Sequence, residues 1–212
     1  MSNGNYQETH ERILKSGLAA FLEEGFEKAN LRRICKAAGV TTGAFYKHFK
    51  DKEALFSELV EPLASMIRKA YAQGEKRGFA GYDEGKPVTP EQVRAALEAK
   101  AAGTLATTAM LYSHRDIYEL LVFRSYGTPY EHFLDWLVDE EDRTTLRALE
   151  LIHGAEKVRA VISKESLHIV NHAFYSALSE NIVHAKSVEE LNATTEVIST
   201  FFNAGWEKYR TL

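Results

Sequence analysis

The fold is decided by residues 30–52, which read NLRRICKAAGVTTGAFYKHFKDK. Asn30 is a good N-cap for a short helix over residues 31–38, and Gly39 suits a turn with positive φ at its end. Thr41 can cap a second short helix directly after that turn. Seven residues are spaced to pack between these helices: Leu31, Ile34, Cys35, Ala38, Val40, Phe45 and Phe49. Two short helices joined by a tight glycine turn predict a helix-turn-helix.

A longer helix precedes this motif. Apolar residues recur at three- and four-residue spacing between Thr9 and Glu24, which predicts a helix with one buried stripe. Gly25 is expected to end that helix, so that Phe26 can fold back onto the stripe. Residues 1–54 are therefore predicted to form a three-helix helix-turn-helix domain.

The rest of the chain, residues 55–212, is predicted as a second, larger helical domain, which makes the fold class all-α. Helical spacing predicts five helices here, near residues 90–112, 114–126, 129–153, 164–185 and 188–210. Three helix starts carry a hydroxyl three residues before Glu or Gln, the pattern of a capping box: Thr89, Thr128 and Ser187. Glycine and proline cluster between Gln73 and Pro90, which predicts a loop or hinge.

Charge is distributed unevenly along the chain. The net charge is −4, yet residues 28–52 hold seven basic side chains and only one acidic side chain. From Glu61 onwards acidic residues outnumber basic ones. A basic island on an acidic body is typical of a protein that binds DNA through one surface only.

Several other function classes lack support in the sequence. No G-x-S-x-G, P-loop, dinucleotide-binding glycine turn or zinc-hydrolase motif is present, so no enzymatic activity, catalytic residue or cofactor is predicted. No stretch approaches the roughly 18 uninterrupted apolar residues of a membrane span, and the first residues lack a secretory apolar run. With a single cysteine, the chain is expected in the reducing cytoplasm and away from membranes.

Three histidines and an acidic run are candidate metal ligands. His168 and His172 stand four residues apart, with His184 further along the same predicted helix, but no acidic or cysteine partner has matching local spacing. The acidic run 139–142 lacks the glycine and spacing of a calcium loop, and is interpreted as a solvated face. No metal site is therefore predicted.

The second helix of such a motif enters the DNA major groove with its N-terminal end first, where side chains must be small or polar. The residues placed to contact bases or phosphates on this helix are Thr41, Thr42, Gly43, Tyr46, Lys47 and His48. Arg32 and Lys52 can contact the DNA backbone from the neighbouring helix starts. Two alternatives remain open: Tyr46 as a core residue, and Cys35 as a redox switch rather than a buried structural thiol.

Residues 13–56, ILKSGLAAFLEEGFEKANLRRICKAAGVTTGAFYKHFKDKEALF, resemble the N-terminal domain of the TetR family of bacterial transcription regulators. The resemblance rests on the first-helix stripe, the AGV turn, the FYKHF core and the DKEAL start of the fourth helix. It implies DNA contacts at Arg32, Thr42, Gly43, Tyr46, Lys47, His48 and Lys52. It also implies a regulator, by default a repressor, that binds a palindromic double-stranded DNA operator as a homodimer. A small-molecule effector would release it.

For the second domain, the resemblance implies that the last two long helices pair with those of a second copy. The predicted interface residues are Phe174, Leu178, Ile182, Ile198, Phe201 and Phe202. Large apolar side chains of the middle helices are the candidates for an effector pocket: Met110, Tyr112, Tyr118, Phe123, Phe133 and Trp136. The alternative function is a helical small-molecule-binding or protein-adaptor module that no longer reads DNA.

Overall fold

The computed structural model describes residues 3–79 and 88–210, and this part of the chain is helical without a strand. Its helices are α1 Asn3–Lys28, α2 Leu31–Ala37, α3 Thr42–Phe45, α4 Lys52–Phe79, α5 Pro90–Tyr112, α6 Arg115–Phe123, α7 Phe133–His153, α8 Ala155–Val161, α9 Lys164–His184 and α10 Val188–Arg210. The predicted all-α fold class is confirmed. Among the described helices, none combines the length and the apolar character needed to cross a membrane.

The chain packs as two compact units that do not follow the chain order. The first unit contains the residues up to Ile67 together with His114–Phe133, and the second contains Arg68–Ser113 together with the chain from Leu134 onwards. The first unit therefore includes two segments, residues 55–67 and His114–Phe133, that lie beyond the predicted domain boundary after residue 54. Helix α4 contributes residues to both units.

The first unit is built around a break in α1. Gly25 has φ 73° and ψ 164°, outside the helical region, so the chain turns at this glycine as the sequence indicated. The turn lets the backbone N–H of Phe26 donate to the carbonyl oxygen of Arg124, at 2.9 Å. It also brings the Phe26 ring within 5.9 Å of Phe21 and edge-on to Phe56 at 5.3 Å. The result is an aromatic core that helix α6 helps to close.

Helix α7 begins at Phe133, later than predicted, because Thr128 does not act as its cap. The Thr128 hydroxyl donates to the carbonyl oxygen of Ser125 at 2.6 Å and accepts from the N–H of Tyr130 at 3.1 Å. These bonds close a turn instead of opening a helix. The Tyr130 hydroxyl then donates to the Glu61 carboxylate at 2.8 Å, which fastens this turn to α4 inside the first unit.

Two features near the predicted loop at residues 73–90 differ from expectation. Helix α4 continues through Phe79, so the first part of the predicted loop is helical, and the remainder at residues 80–87 lies outside the described residues. The capping box at Thr89 forms as predicted: the N–H of Gln92 donates to its hydroxyl at 3.3 Å, and its own N–H donates to the Gln92 side chain at 2.8 Å. Helix α5 has the predicted bounds.

The core of the second unit lies between its last helices. Trp206 of α10 is buried with Leu149, Val158 and Leu167, and the Phe174 and Phe202 rings meet edge-on at 5.2 Å. The short helix α8, which the sequence did not predict, supplies Val158 to this cluster.

Candidate nucleic-acid interface

The helix-turn-helix is held by the caps that the sequence indicated. The Asn30 side-chain oxygen accepts from the N–H groups of Arg32 at 2.9 Å and Arg33 at 3.3 Å, which fixes the start of α2. Gly39, with φ 67°, turns the chain after that helix. The Thr41 hydroxyl accepts from the N–H of Ala44 at 3.1 Å and fixes the start of α3. Both caps are local, so a short sequence window is enough to specify them.

Helical turns continue beyond the four residues of α3. The N–H of Lys47 donates to the carbonyl oxygen of Ala44 at 3.1 Å, and the N–H of His48 donates to that of Phe45 at 2.8 Å. Phe45 and Phe49 are buried and stack at 5.5 Å between ring centroids. We call residues 42–49 the reading segment, since its apolar side is fixed in the core and its other side faces solvent.

Most of the predicted DNA-contact residues are exposed to solvent, in the reading segment or just before it. Six of the eight are exposed: Arg32, Thr41, Thr42, Gly43, Tyr46 and Lys47. Tyr46 is 56% exposed, which excludes the alternative that its ring belongs to the core. A contact of these residues with DNA remains a prediction, and their exposure is what that prediction requires.

His48 belongs to a cluster of rings that also includes residues from the start of α1. Its ring stacks on Tyr6 at 4.1 Å and lies 5.6 Å from the ring of His10, whose Nε2 is 2.5 Å from the Glu58 carboxylate. Burial lowers the pKa of His48, and the nearby charges of His10 and Lys47 lower it further. The half-buried His48 is therefore held neutral near neutral pH. Sequence reasoning missed Tyr6, because it lies near the start of α1, far from His48 in the sequence.

Lys52 differs from its predicted role as a phosphate contact. Its ammonium donates to the carbonyl oxygens of Phe26 at 2.6 Å, Glu27 at 3.2 Å and Ala29 at 3.1 Å, and it lies 4.4 Å from the centre of the Phe26 ring. Burial lowers the pKa of this ammonium. Its three hydrogens are thus directed at the chain itself, where they cap the end of α1. The prediction missed these carbonyl groups because they lie more than twenty residues earlier in the chain.

Cys35 lies beneath the reading segment and is 2% exposed. Burial raises the pKa of its thiol, against the opposing effect of a hydrogen bond with Thr42. A raised pKa and a buried sulfur do not fit the alternative of a redox switch, since reactive thiols are exposed and acidic. Cys35 is a packing residue here.

The six predicted effector residues do not gather in one compact unit. Tyr118, Phe123 and Phe133 belong to the first unit, where Tyr118 and Phe133 are buried core residues. Met110, Tyr112 and Trp136 belong to the second unit and are half-buried. The six residues therefore divide between two compact units, and their role in an effector pocket remains a prediction.

The second unit contains a buried polar cluster that the sequence did not indicate. Glu141 is 8% exposed and pairs with the Lys100 ammonium. It also accepts hydrogen bonds from the hydroxyls of Thr145 at 3.0 Å and Tyr175 at 3.1 Å, and burial raises the pKa of that phenol. The sequence predicted that the acidic run 139–142 is a solvated face. This prediction is wrong for Glu141, which is buried. Two partners of Glu141, Lys100 and Tyr175, come from α5 and α9, and local spacing cannot reveal such contacts.

The predicted dimer residues also differ in how far they are buried. Phe174, Leu178 and Ile182 are buried inside the chain, so these three are not available to a partner, contrary to the prediction. Ile198 and Phe202 are half-buried, and Phe201 is 75% exposed. A different set of large apolar side chains on α9 and α10 is exposed together with Phe201: Ile169, Val170 and Val197.

Comparison with known proteins agrees with this geometry. The family model described as bacterial regulatory proteins, tetR family, matches residues 13–59. The regulator AcrR of Shigella flexneri is 53% identical over 61 residues, which cover 29% of this chain and 28% of that protein. The transcriptional repressor Rv1474c of Mycobacterium tuberculosis is 32% identical over 81 residues, which cover 38% of this chain and 42% of that protein. These matches span less than half the length of either relative.

Among solved structures, NalD of Pseudomonas aeruginosa, the secondary repressor of the MexAB-OprM multidrug efflux pump, is similar over nearly the whole fold. It has a TM-score of 0.53 at 20% identity and covers 96% of this chain and 98% of its own. The first helices form a helix-turn-helix similar in sequence to that of the matched bacterial regulatory proteins. Residues 13–59 match the model of the tetR family, in agreement with the resemblance seen in the sequence.

Proposed function

We propose that the chain is a transcription regulator of the TetR type that binds a palindromic DNA operator. The observation that carries this proposal is the reading segment, which buries its phenylalanines and exposes a row of small, polar and basic residues. That arrangement lets the segment enter a major groove while its apolar side stays packed. Repression by occupying a promoter is the expected mode, and the place of action is the cytoplasm.

A homodimer follows from the symmetry of such operators, since two half-sites require two reading segments related by a two-fold axis. The exposed apolar residues Ile169, Val170, Val197 and Phe201 on α9 and α10 support a second copy as the partner. Large apolar side chains that remain exposed in a group are typical of a protein interface.

Control by a small molecule is the second part of the proposal. The half-buried Met110, Tyr112 and Trp136 of the second unit support an effector site there, since adaptable apolar side chains are typical of such sites. The effector would act by binding the DNA-competent and DNA-incompetent forms of the dimer with different affinity.

Fluorescence anisotropy tests DNA binding. Purified protein is titrated into labelled duplexes from upstream of its own gene, and into random duplexes, over a series of salt concentrations. We expect selective binding that weakens steeply with salt, because phosphate contacts release counterions. Lys47→Ala is expected to weaken binding to both duplexes and to reduce the salt slope by about 1, while the exposed Lys164 of the second unit provides the control.

Equal and weak binding to both duplexes, with no effect of Lys47→Ala, would argue against DNA reading by this segment. The same result would favour the adaptor or small-molecule-binding function that the sequence left open.

A further inference from the structure

Three potential metal ligands from two helices of the second unit lie together. Asp139 and Asp142 stand one turn apart on α7, and His168 lies opposite them on α9. One ligand atom of each lies within 4.8 Å of those of the others. His168 Nδ1 is 2.8 Å from Asp142 Oδ2 and 4.0 Å from Asp139 Oδ1. The sequence prediction found no acidic partner for His168 because both partners come from another helix.

Within the part of the chain that the structure describes, His168 is the only basic side chain paired with the two carboxylates. No lysine or arginine of the described residues forms an ion pair with Asp139 or Asp142. Arg143, adjacent in the chain, is already bound to Glu75 at 2.6 Å and to Glu140 at 2.5 Å. A single imidazole nitrogen can donate a hydrogen to only one carboxylate at a time. Two neighbouring carboxylates therefore share one histidine, an arrangement that a divalent cation would stabilise.

A further residue orients the Asp142 carboxylate. Asn171, which is 1% exposed, donates its side-chain N–H to Asp142 Oδ1 at 2.7 Å. This bond engages one carboxylate oxygen and leaves Oδ2 directed at His168. Hydrogen bonds of this kind hold metal ligands in place and strengthen binding. Asp139, by contrast, is exposed and can adjust its side chain towards a bound ion.

We propose that Asp139, Asp142 and His168 bind a divalent transition-metal ion. Bonds of roughly 2.0–2.2 Å to nitrogen and oxygen would place the ligand atoms about 3.0–3.5 Å apart, and the 2.8 and 4.0 Å distances lie on either side of that range. One imidazole and two carboxylates favour an ion such as Zn²⁺ over Mg²⁺ or Ca²⁺, which prefer oxygen ligands alone. Three protein ligands leave a coordination position for water. This inference does not depend on DNA binding.

Isothermal titration calorimetry with Zn²⁺ tests the site on the untagged, metal-free full chain. We expect one Zn²⁺ per chain, and a loss of at least about tenfold in affinity for Asp139→Asn and for His168→Gln. Because Asp139 is exposed, Asp139→Asn is expected to leave the circular-dichroism melting curve of the metal-free protein unchanged. The control is His184→Gln, which alters another histidine–carboxylate pair on α9, 3.1 Å from Glu180.

Three outcomes would overturn the proposal. The first is the absence of Zn²⁺ binding by the wild-type chain. The second is a loss of affinity in His184→Gln equal to that in His168→Gln, which would indicate nonspecific binding to surface histidines. The third is Mg²⁺ binding as tight as Zn²⁺ binding, which would indicate attraction to acidic charge alone.

Discussion

The Lys52 ammonium lies among three backbone carbonyl oxygens at the end of α1, so its charge acts within the fold. Lys52→Ala is expected to lower the free energy of unfolding by about 2 kcal/mol, because hydrogen bonds from charged groups typically contribute about 1.5–3 kcal/mol. Urea denaturation measures this change. The exposed Lys50 supplies the control Lys50→Ala, and equal stability of the two variants would contradict the capping role.

His48 predicts a dependence of stability on pH. Its pKa is lowered in the folded chain from the ordinary value of 6.5, by burial and then by His10 and Lys47. The unfolded chain therefore takes up a proton before the folded chain does, and the free energy of unfolding falls as pH drops below 6.5.

Replacing His48 with Gln is expected to remove that part of the pH dependence. The measurement compares urea midpoints at about pH 7.5 and about pH 5.5. His184→Gln, at an exposed position, is expected to keep the wild-type difference between the two pH values. A His48→Gln protein with an unchanged difference would show that another group causes it.

At the scale of single residues, the sequence was sufficient where the partner is local. Asn30 and Thr41 cap helices whose N–H groups lie within three residues, and both caps form as predicted. Lys52 and His48 depend on residues in α1, and their surroundings were not predictable from neighbouring residues.

Among the helices, two of the most accurate predictions are helices that begin at a capping signal. Helix α5 has the bounds that the Thr89 capping box indicated, and α10 has the bounds predicted after Ser187. Helix α4 extends through glycines that were expected to form a loop, because one glycine in a helix costs only about 1 kcal/mol. Helix α8 was missed because seven residues are too few for a clear helical period.

Helix α9 carries two apolar faces, and periodicity alone could not say which one is buried. Phe174 and Leu178 are in the core, whereas Ile169 and Val170 are exposed. Hydrophobic spacing shows that a helix has an apolar face that packs against other apolar groups. Burial within one chain and burial against a second copy produce the same pattern.

A charge placed on the exposed face tests the dimer. Phe201→Glu is expected to convert the proposed dimer into a monomer, because a buried unpaired carboxylate at an interface is strongly unfavourable. Sedimentation velocity measures the oligomeric state. Val188→Glu is the matched control, since Val188 is also exposed on α10 but lies roughly 140° around the helix from Phe201. A dimeric Phe201→Glu protein would place the interface elsewhere.

At the scale of the whole chain, the first unit is assembled from two separated segments. Helix α6 packs on α1, Phe26 bonds to Arg124, and Tyr130 bonds to Glu61. The sequence predicted a DNA-reading domain over residues 1–54, and the packing unit extends well beyond it. Such long-range assembly has no local signal in the sequence.

A fragment of residues 1–67 is therefore expected to be less stable than the intact chain. It would lack the residues that cover Phe26 and Phe56, and so would expose apolar core surface to water. Thermal unfolding followed by circular dichroism compares the fragment with the intact chain. A fragment that melts cooperatively at the temperature of the intact chain would show that α6 contributes little.

The chain has one cysteine, and it lies under the reading segment with its sulfur shielded from solvent. Chemical labelling of this thiol can therefore occur only when the helix-turn-helix opens, so the labelling rate reports that local opening. Bound operator would hold the segment closed and slow the reaction. Under the proposed function, Cys35 is thus a natural reporter of DNA occupancy, readable with a thiol reagent and without any introduced dye or mutation.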